Sequence, residues 1–245
     1  MIKFTSIVAA AMITAGAASA CEYKAHNINI DFNGTAPIAG ACEGAVTAIK
    51  FFEDVGYDEQ VFTVNITVTD AVYTYMTNEN TGEEIPLRAF GLYDGESNQI
   101  TISALGTDYM NSRTAWNTDA RDDTSGMPIT EEIWASVITH ETAHALSTQV
   151  FNRLNPVMVS NGYFMPHGPS EYISYMIQLA TTRDELRDEI IASFDNPTAF
   201  AHRDNLNPYV HFAHPHKYGV RAYLTQNMDW FHNALSGKFG QLPDW

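Results

Sequence analysis

The stretch Thr139-His140-Glu141-Thr142-Ala143-His144-Ala145 decides how this chain is read. It contains the pattern H-E-x-x-H, and the residues before it, from Thr130, have helical character. On a helix, positions i and i+4 lie one above the other. His140 and His144 can therefore offer two imidazole nitrogens to one ion, with Glu141 beside them to take a proton from water. Two neutral imidazoles bind a divalent cation without cancelling its charge, and one carboxylate stays free as a base. Ile133, Val137, His140 and His144 follow at steps of four, three and four, so the histidines continue an apolar, inward-facing stripe. The competing view is a surface helix with two unrelated histidines. It leaves two buried imidazoles without a partner, and a metal is the simplest partner for them.

A catalytic zinc site usually takes three protein ligands plus water. The metzincin pattern would need Gly and His after His144; the chain continues Ala145-Leu146-Ser147-Thr148-Gln149-Val150, so that family is excluded. The other common solution is a carboxylate from the next helix. Glu171 fits best, opening a helix in Gly168-Pro169-Ser170-Glu171-Tyr172-Ile173. His167 comes next, then Glu185 or Glu189, which read better as a solvated face with Arg183 and Arg187. Alone, Glu171 would be a helix-start carboxylate favoured by the dipole.

Upstream of the motif, Tyr23 to Phe32 alternates as a first strand, broken by Asn33-Gly34-Thr35. Ile38 to Val55 reads as a helix ending at Gly56. Val61 to Val68 is a β-branched strand that runs on, after a break, through Tyr73 to Met76, and Asn78 to Glu84 is a polar turn. Leu87 to Leu105 reads as a hairpin with arms Phe90–Tyr93 and Gln99–Ser103. Thr107 to Met127 is a long polar loop of the kind that often carries function. Thr130 can cap the motif helix, with Glu131 and Glu132 in its first turn. Downstream, helices are expected from Pro169 to Ala180, Arg183 to Phe194 and Tyr218 to Leu235. No repeat or linker divides the chain. The expected fold is α+β and zincin-like: a small mixed or antiparallel sheet on the motif helix, residues 21–128 mainly strands plus one helix, and residues 129–245 mainly helical, in one domain.

The net charge of −16 over 245 residues argues against phosphate backbones and anionic membrane surfaces as partners. Residues 1–20 read as a cleavable signal peptide, with Lys3, an apolar run from Ile7 to Ala15 and Ala18-Ser19-Ala20. Secretion or a periplasmic location follows. Cys21 and Cys42 are the only cysteines, and an even pair in an exported chain favours a disulfide. The alternative is a lipoprotein anchored at Cys21. No transmembrane segment is expected.

Three pieces, in order, carry a family resemblance: Gly91-Leu92-Tyr93-Asp94 with Asn98-Gln99-Ile100-Thr101-Ile102, the helix Ile138 to Leu146, and Gly168 to Ile173. Together they resemble the gluzincin metallopeptidases, the thermolysin-like clan in its minimal core form. The resemblance implies one Zn2+ held by His140, His144 and Glu171, with Glu141 as base. It also implies a strand, Gln99 to Ala104, that borders the cleft and pairs with an extended peptide or protein substrate. The chain departs from the family four residues after Glu171, where many gluzincins place an Asp that orients a metal histidine; here Tyr175 stands there.

Peptide hydrolysis at such a site also needs an oxyanion donor. His211-Phe212-Ala213-His214-Pro215-His216-Lys217-Tyr218 is dense in candidates, with His214, His216 or Tyr218 able to serve if the segment folds over the cleft. Otherwise that segment is a surface loop or a weak second metal site. Tyr172 and Tyr175 read as core residues beside the metal, and His26, His202 and His232 as structural or solvated. The expected activity is zinc-dependent peptide-bond hydrolysis. The alternatives are an inactive zincin-fold binding protein with a structural metal, closed by a fourth ligand from the 211–216 histidines, and an acidic binding protein without metal.

Overall fold

A computed structural model describes residues 19–32, 38–77, 84–118 and 125–239. Residues 1–18 of the expected signal peptide lie outside them, as do Asn33-Gly34-Thr35 and residues 78–83 of the polar turn. The chain is mixed α+β. Strands β1 (Ser19–Tyr23), β2 (His26–Phe32) and β3 (Thr63–Thr69) join β6 (Gly91–Asp94) and β7 (Gln99–Ser103) in one five-stranded sheet. Its order is β1-β2-β3-β7-β6. Strands β2, β3 and β7 are parallel, and β1 and β6 are antiparallel at the two edges. Strands β4 (Val72–Thr77) and β5 (Glu84–Ala89) form a separate hairpin, and β8 (Thr114–Ala115) pairs with β9 (Met127–Pro128).

Strict alternation makes one face of this sheet apolar. Ile28, Ile30 and Phe32 of β2, Val64, Ile66 and Val68 of β3, and Ile100 and Ile102 of β7 are all buried. The other face carries a polar ladder, in which Asn29 donates to Asn65 and Gln99 to Thr67. The apolar face is covered by α1 (Ile38–Phe52) and by the motif helix. The helices after α1 are α2 (Asp108–Asn111), α3 (Glu131–Leu154), α4 (Pro156–Ser160), α5 (His167–Thr181), α6 (Asp184–Ala192), α7 (Pro208–Ala213), α8 (Pro215–Thr225) and α9 (Met228–Leu235). Helix α3 packs against α1, α5 and the strands β3, β6 and β7, and α5 packs against α8.

Specific polar contacts fix α3 on the sheet. The Thr130 hydroxyl accepts from Ile133 N–H and caps it. Trp134 donates from its indole to Ser103 O at the end of β7. The Gln149 amide bonds both Thr63 N–H and Thr63 O at the start of β3. Thr139 donates to Gly44 O of α1. At Gly44 the two helices come close enough that a Cβ there would stand 2.5 Å from Ala135 O. A disulfide between Cys21 and Cys42, with Cα atoms 5.6 Å apart, ties β1 to α1. It fits an extracellular or periplasmic setting. It also occupies the Cys21 sulfur that a lipid anchor would need. No helix of the described residues is long and apolar enough to cross a membrane.

Several expectations change at turns and edges. Tyr23 closes β1 rather than opening β2, because Lys24 takes φ 51° and reverses the chain. Val72 to Thr77 leaves the main sheet to pair with β5, which takes Leu87 to Ala89 from the expected hairpin. The helix expected from Tyr218 to Leu235 is two helices. Gln226, at φ 35°, breaks it, and Asn227 caps α9 by accepting from Trp230 N–H. The polar loop after Thr107 contains α2, β8 and β9. Most consequential, β7 is not the edge that borders the cleft. Both of its ladders are filled, by β3 and β6, and the edge strand on that side is β6.

Adding one methyl at the α1–α3 crossing forces a backbone shift. Gly44→Ala is expected to lose about 1–3 kcal/mol in urea unfolding; an unchanged midpoint would mean the helices separate freely there.

Candidate metal centre

Three helices converge on one carboxylate. Helix α3 brings His140, Glu141 and His144, α5 brings His167 and Glu171, and α7 brings His211. All but His167 are more than 90% buried. The two motif histidines face each other with their Nε2 atoms 3.1 Å apart. Glu171 lies across from them, Oε2 at 3.4 Å from His140 Nε2 and Oε1 at 3.5 Å from His144 Nε2. Ligands around a tetrahedral ion with bonds of 2.0–2.1 Å stand about 3.3 Å from one another. The two imidazoles stand near that spacing from each other, and each stands near it from one oxygen of Glu171.

The opposite ring nitrogens are held by the protein. Gln178 donates to Ser136 Oγ, which leaves its Oε1 to face His140 Nδ1 at 3.1 Å. Ser170 Oγ stands 2.7 Å from His144 Nδ1. With their protons on Nδ1, both imidazoles turn Nε2 lone pairs inward. Two lone pairs at 3.1 Å repel unless a cation lies between them. Glu171 Oε2 is buried and completes no hydrogen bond, a second sign that a cation belongs here. Buried groups that can hold a metal ion are thus present, and His140, His144 and Glu171 are one such group.

Electrostatics sort the two carboxylates. Burial pushes Glu171 up, but the imidazoles of His211, His144 and His140 outweigh it and hold the carboxyl well below the usual range. Glu141 lacks that support. Burial raises it to about 7, with His140 and the Tyr93 N–H lowering it and Glu171 raising it further. Glu141 lies against β6, where a Cβ on Gly91 would come within 2.6 Å of its Cγ and 2.9 Å of its Oε1. Only glycine lets the strand pass this close. Tyr93, two residues on, lays its ring parallel to that of His144.

The 211–218 segment contributes differently from expectation. His211 is the residue it brings to Glu171, Nε2 to Oε2 at 3.4 Å. Tyr218 is buried and donates to Gly168 O at 2.7 Å, holding α8 to the start of α5. His216 Nδ1 accepts from Asn117 N–H, and burial lowers its pKa to about 4. His214 is exposed and lines a surface cavity of about 380 Å³ with Tyr209, Lys217 and Arg221. Tyr218 thus spends its one O–H on a backbone carbonyl, the physical reason it makes a poor oxyanion donor, while His216 is held by its Nδ1.

His167 approaches Glu171 Oε1 at 3.6 Å, as i and i+4 neighbours do. Glu185 is exposed and paired with Arg183. Tyr172 bonds Asn227 at the start of α9, and the Tyr175 ring lies 4.4 Å from that of His140. His26 pairs with Glu53, exposed His202 with Asp204, and His232 with Tyr57. Sequence reasoning missed Gln178 and Ser170. Gln178 was within reach of the spacing rule, since Glu171, Tyr175 and Gln178 follow at steps of four and three on one helix face.

Residues 28–230 match a family described as Family of unknown function (DUF6639). No curated protein and no solved structure matches the chain.

Two outcomes are expected. Gln178→Ala should weaken metal binding about 10–100-fold, read by competition with a chelator; undiminished affinity would show that His140 needs no orienting partner. In metal-free protein Glu141 has a folded pKa of about 7 against 4.5 as the reference. The folded state therefore holds a proton that the unfolded state releases, and this group's contribution to stability falls as pH rises through that window. Glu141→Gln removes the effect and should gain on the parent between pH 5 and 8, by up to about 3 kcal/mol. An equal difference at both pH values would show that the carboxyl titrates normally.

Proposed function

We propose that this chain, which belongs to the DUF6639 family, is an exported zinc-dependent hydrolase of gluzincin type, acting on peptide bonds. One observation carries the reading: two buried Nε2 atoms 3.1 Å apart, each within about 3.5 Å of an oxygen of the buried Glu171 carboxylate, one of which has no hydrogen bond, stand close to the edge lengths of a tetrahedral ion, with a second carboxylate, Glu141, beside them. His140, His144 and Glu171 would hold Zn2+. When bound, the ion acidifies water and polarises a carbonyl.

The residues of the chain do the rest. Glu141 takes the proton from water and returns it to the departing amine. Its burial against β6 fixes it on one side of the site. Gln178 and Ser170 hold the two imidazoles in the tautomer that keeps Nε2 free. An extended substrate would lie along the open edge of β6, its backbone pairing with Gly91 to Asp94. The strand's short length limits that pairing to a few residues.

A second reading is a binding protein of the same fold with a structural metal. It is favoured by His211, whose approach to Glu171 would let a fourth protein ligand close the site.

Glu141→Gln separates the two. Under the hydrolase reading it abolishes turnover of a peptide library and leaves the zinc between His140, His144 and Glu171 in place, while Glu171→Ala loses or weakens it. Hydrolysis that persists in Glu141→Gln would sink the mechanism. A parent that holds zinc and cleaves nothing would leave the binding protein.

A further inference from the structure

Glu171 faces two histidine pairs, not one. On the α3 side stand His140 and His144, their nitrogens 3.1 Å apart. On the other side stand His167 and His211: His167 Nε2 lies 3.2 Å from His211 Nδ1, and the other ring nitrogen of His211, Nε2, is the one that faces Glu171. Each pair straddles the carboxylate. Oε1 lies 3.5 Å from His144 and 3.6 Å from His167, and Oε2 lies 3.4 Å from both His140 and His211. These N–O separations are long for hydrogen bonds. Each is near the spacing of two ligands on one ion, about 3.3 Å, and one nitrogen from each of His167 and His211 lies within 4.8 Å of a Glu171 oxygen and of the other. Two groups of metal-capable donors result, His140–His144–Glu171 and His167–Glu171–His211, and they share Glu171 alone.

We propose that Glu171 is a bridging carboxylate between two cation sites, and that His167 and His211 hold a second divalent first-row ion in an outer site. Imidazole and carboxylate donors suit Zn2+, Co2+ or Ni2+. The outer site differs from the inner one in access. The side chain of His167 is 41% exposed, against 10% for His140 and His144. An ion held there keeps positions open toward solvent, where a ligand oxygen or amine can reach it. Two ions sharing a carboxylate stand about 3.5–4 Å apart, the separation used by two-metal hydrolases to hold both oxygens of a displacement. A net charge of −16 favours cation uptake at the open site. The stacking of Phe212 on His167, ring centroids 5.0 Å apart, orients the outer ligand.

The proposal rests on the inner site of the hydrolase reading, and the test separates them. Full-length protein is stripped with a chelator and titrated with Co2+, following the visible absorption bands, with elemental analysis after desalting. The parent should bind two equivalents. His167→Ala and His211→Ala should each bind one, with the inner ion retained, and His144→Ala should keep the outer ion while losing the inner. Circular dichroism checks folding. If buried His211→Ala unfolds, exposed His167→Ala decides alone. One equivalent in the parent, unchanged in His167→Ala, overturns the outer site and leaves His167 and His211 as a hydrogen-bonded pair over a one-ion centre. One equivalent that is lost in His211→Ala overturns it in favour of a closed four-ligand site. No binding in the parent overturns the hydrolase reading as well.

Discussion

A carboxylate taken out of water among imidazoles is the constraint on which this structure turns. An isolated buried charge costs several kcal/mol, and the cost is met only by partners with suitable geometry. Glu171 draws those partners from three helices: His140 and His144 of α3, His167 of its own helix α5, and His211 of α7. Removing any one element leaves the charge less compensated. The helical half of the chain is therefore organised around a polar centre, and its apolar contacts, such as Tyr175 against His140 and Tyr218 against Phe200, form the wall around it.

Close backbone approach is the second requirement. The histidines of α3 can face α5 only if the helix lies flat on the sheet and tight against α1. Gly44 allows the contact with α1, and Gly91 allows β6 to run directly over Glu141. Trp134 and Gln149 then tie α3 to the ends of β7 and β3, so that the helix has one register on the sheet. Glu141 is thereby pinned between a strand edge and the histidine pair. This placement makes it the carboxylate with the raised pKa, while Glu171, a few ångströms from the same imidazoles, keeps its charge. Two carboxylates in one pocket with opposite shifts is the arrangement from which acid–base roles follow.

The outer pair, His167 and His211, enlarges the centre toward solvent. Helix α7 is only six residues long, and its one buried residue is His211. Pro208 starts the helix, and Asn207 caps it by accepting from Val210 N–H. Gly168, at the start of α5, has no room for a Cβ against Leu206 O, so the segment leading into α7 is pressed onto α5. These local features deliver His211 to a carboxylate 40 positions earlier.

Much of the site is a matter of periodicity, and periodicity is visible in a sequence. His140 and His144 share a face because they are four apart, and Ile133 and Val137 show that the face points inward. Alternation in Val64, Ile66 and Val68 marks a half-buried strand in the same way. The spacing of Glu171, Tyr175 and Gln178 carried a further clue, that the residue orienting His140 would come from the ligand's own helix. Local patterns of this kind determine which side chains of one element lie together. They do not determine which faces of different elements meet, because that is settled by long-range packing and loop closure. The choice of His211 over His214 and His216, the placement of β6 rather than β7 at the open edge, and the division of the last helix at Gln226 all belong to that second class. Each depends on a contact between residues far apart in the chain. The sequence alone singled out His140, Glu141 and His144 and ranked Glu171 first as their partner; the tertiary structure decided what surrounds them, because only packing brings α7, β6 and Ser170 to the same carboxylate and its histidines.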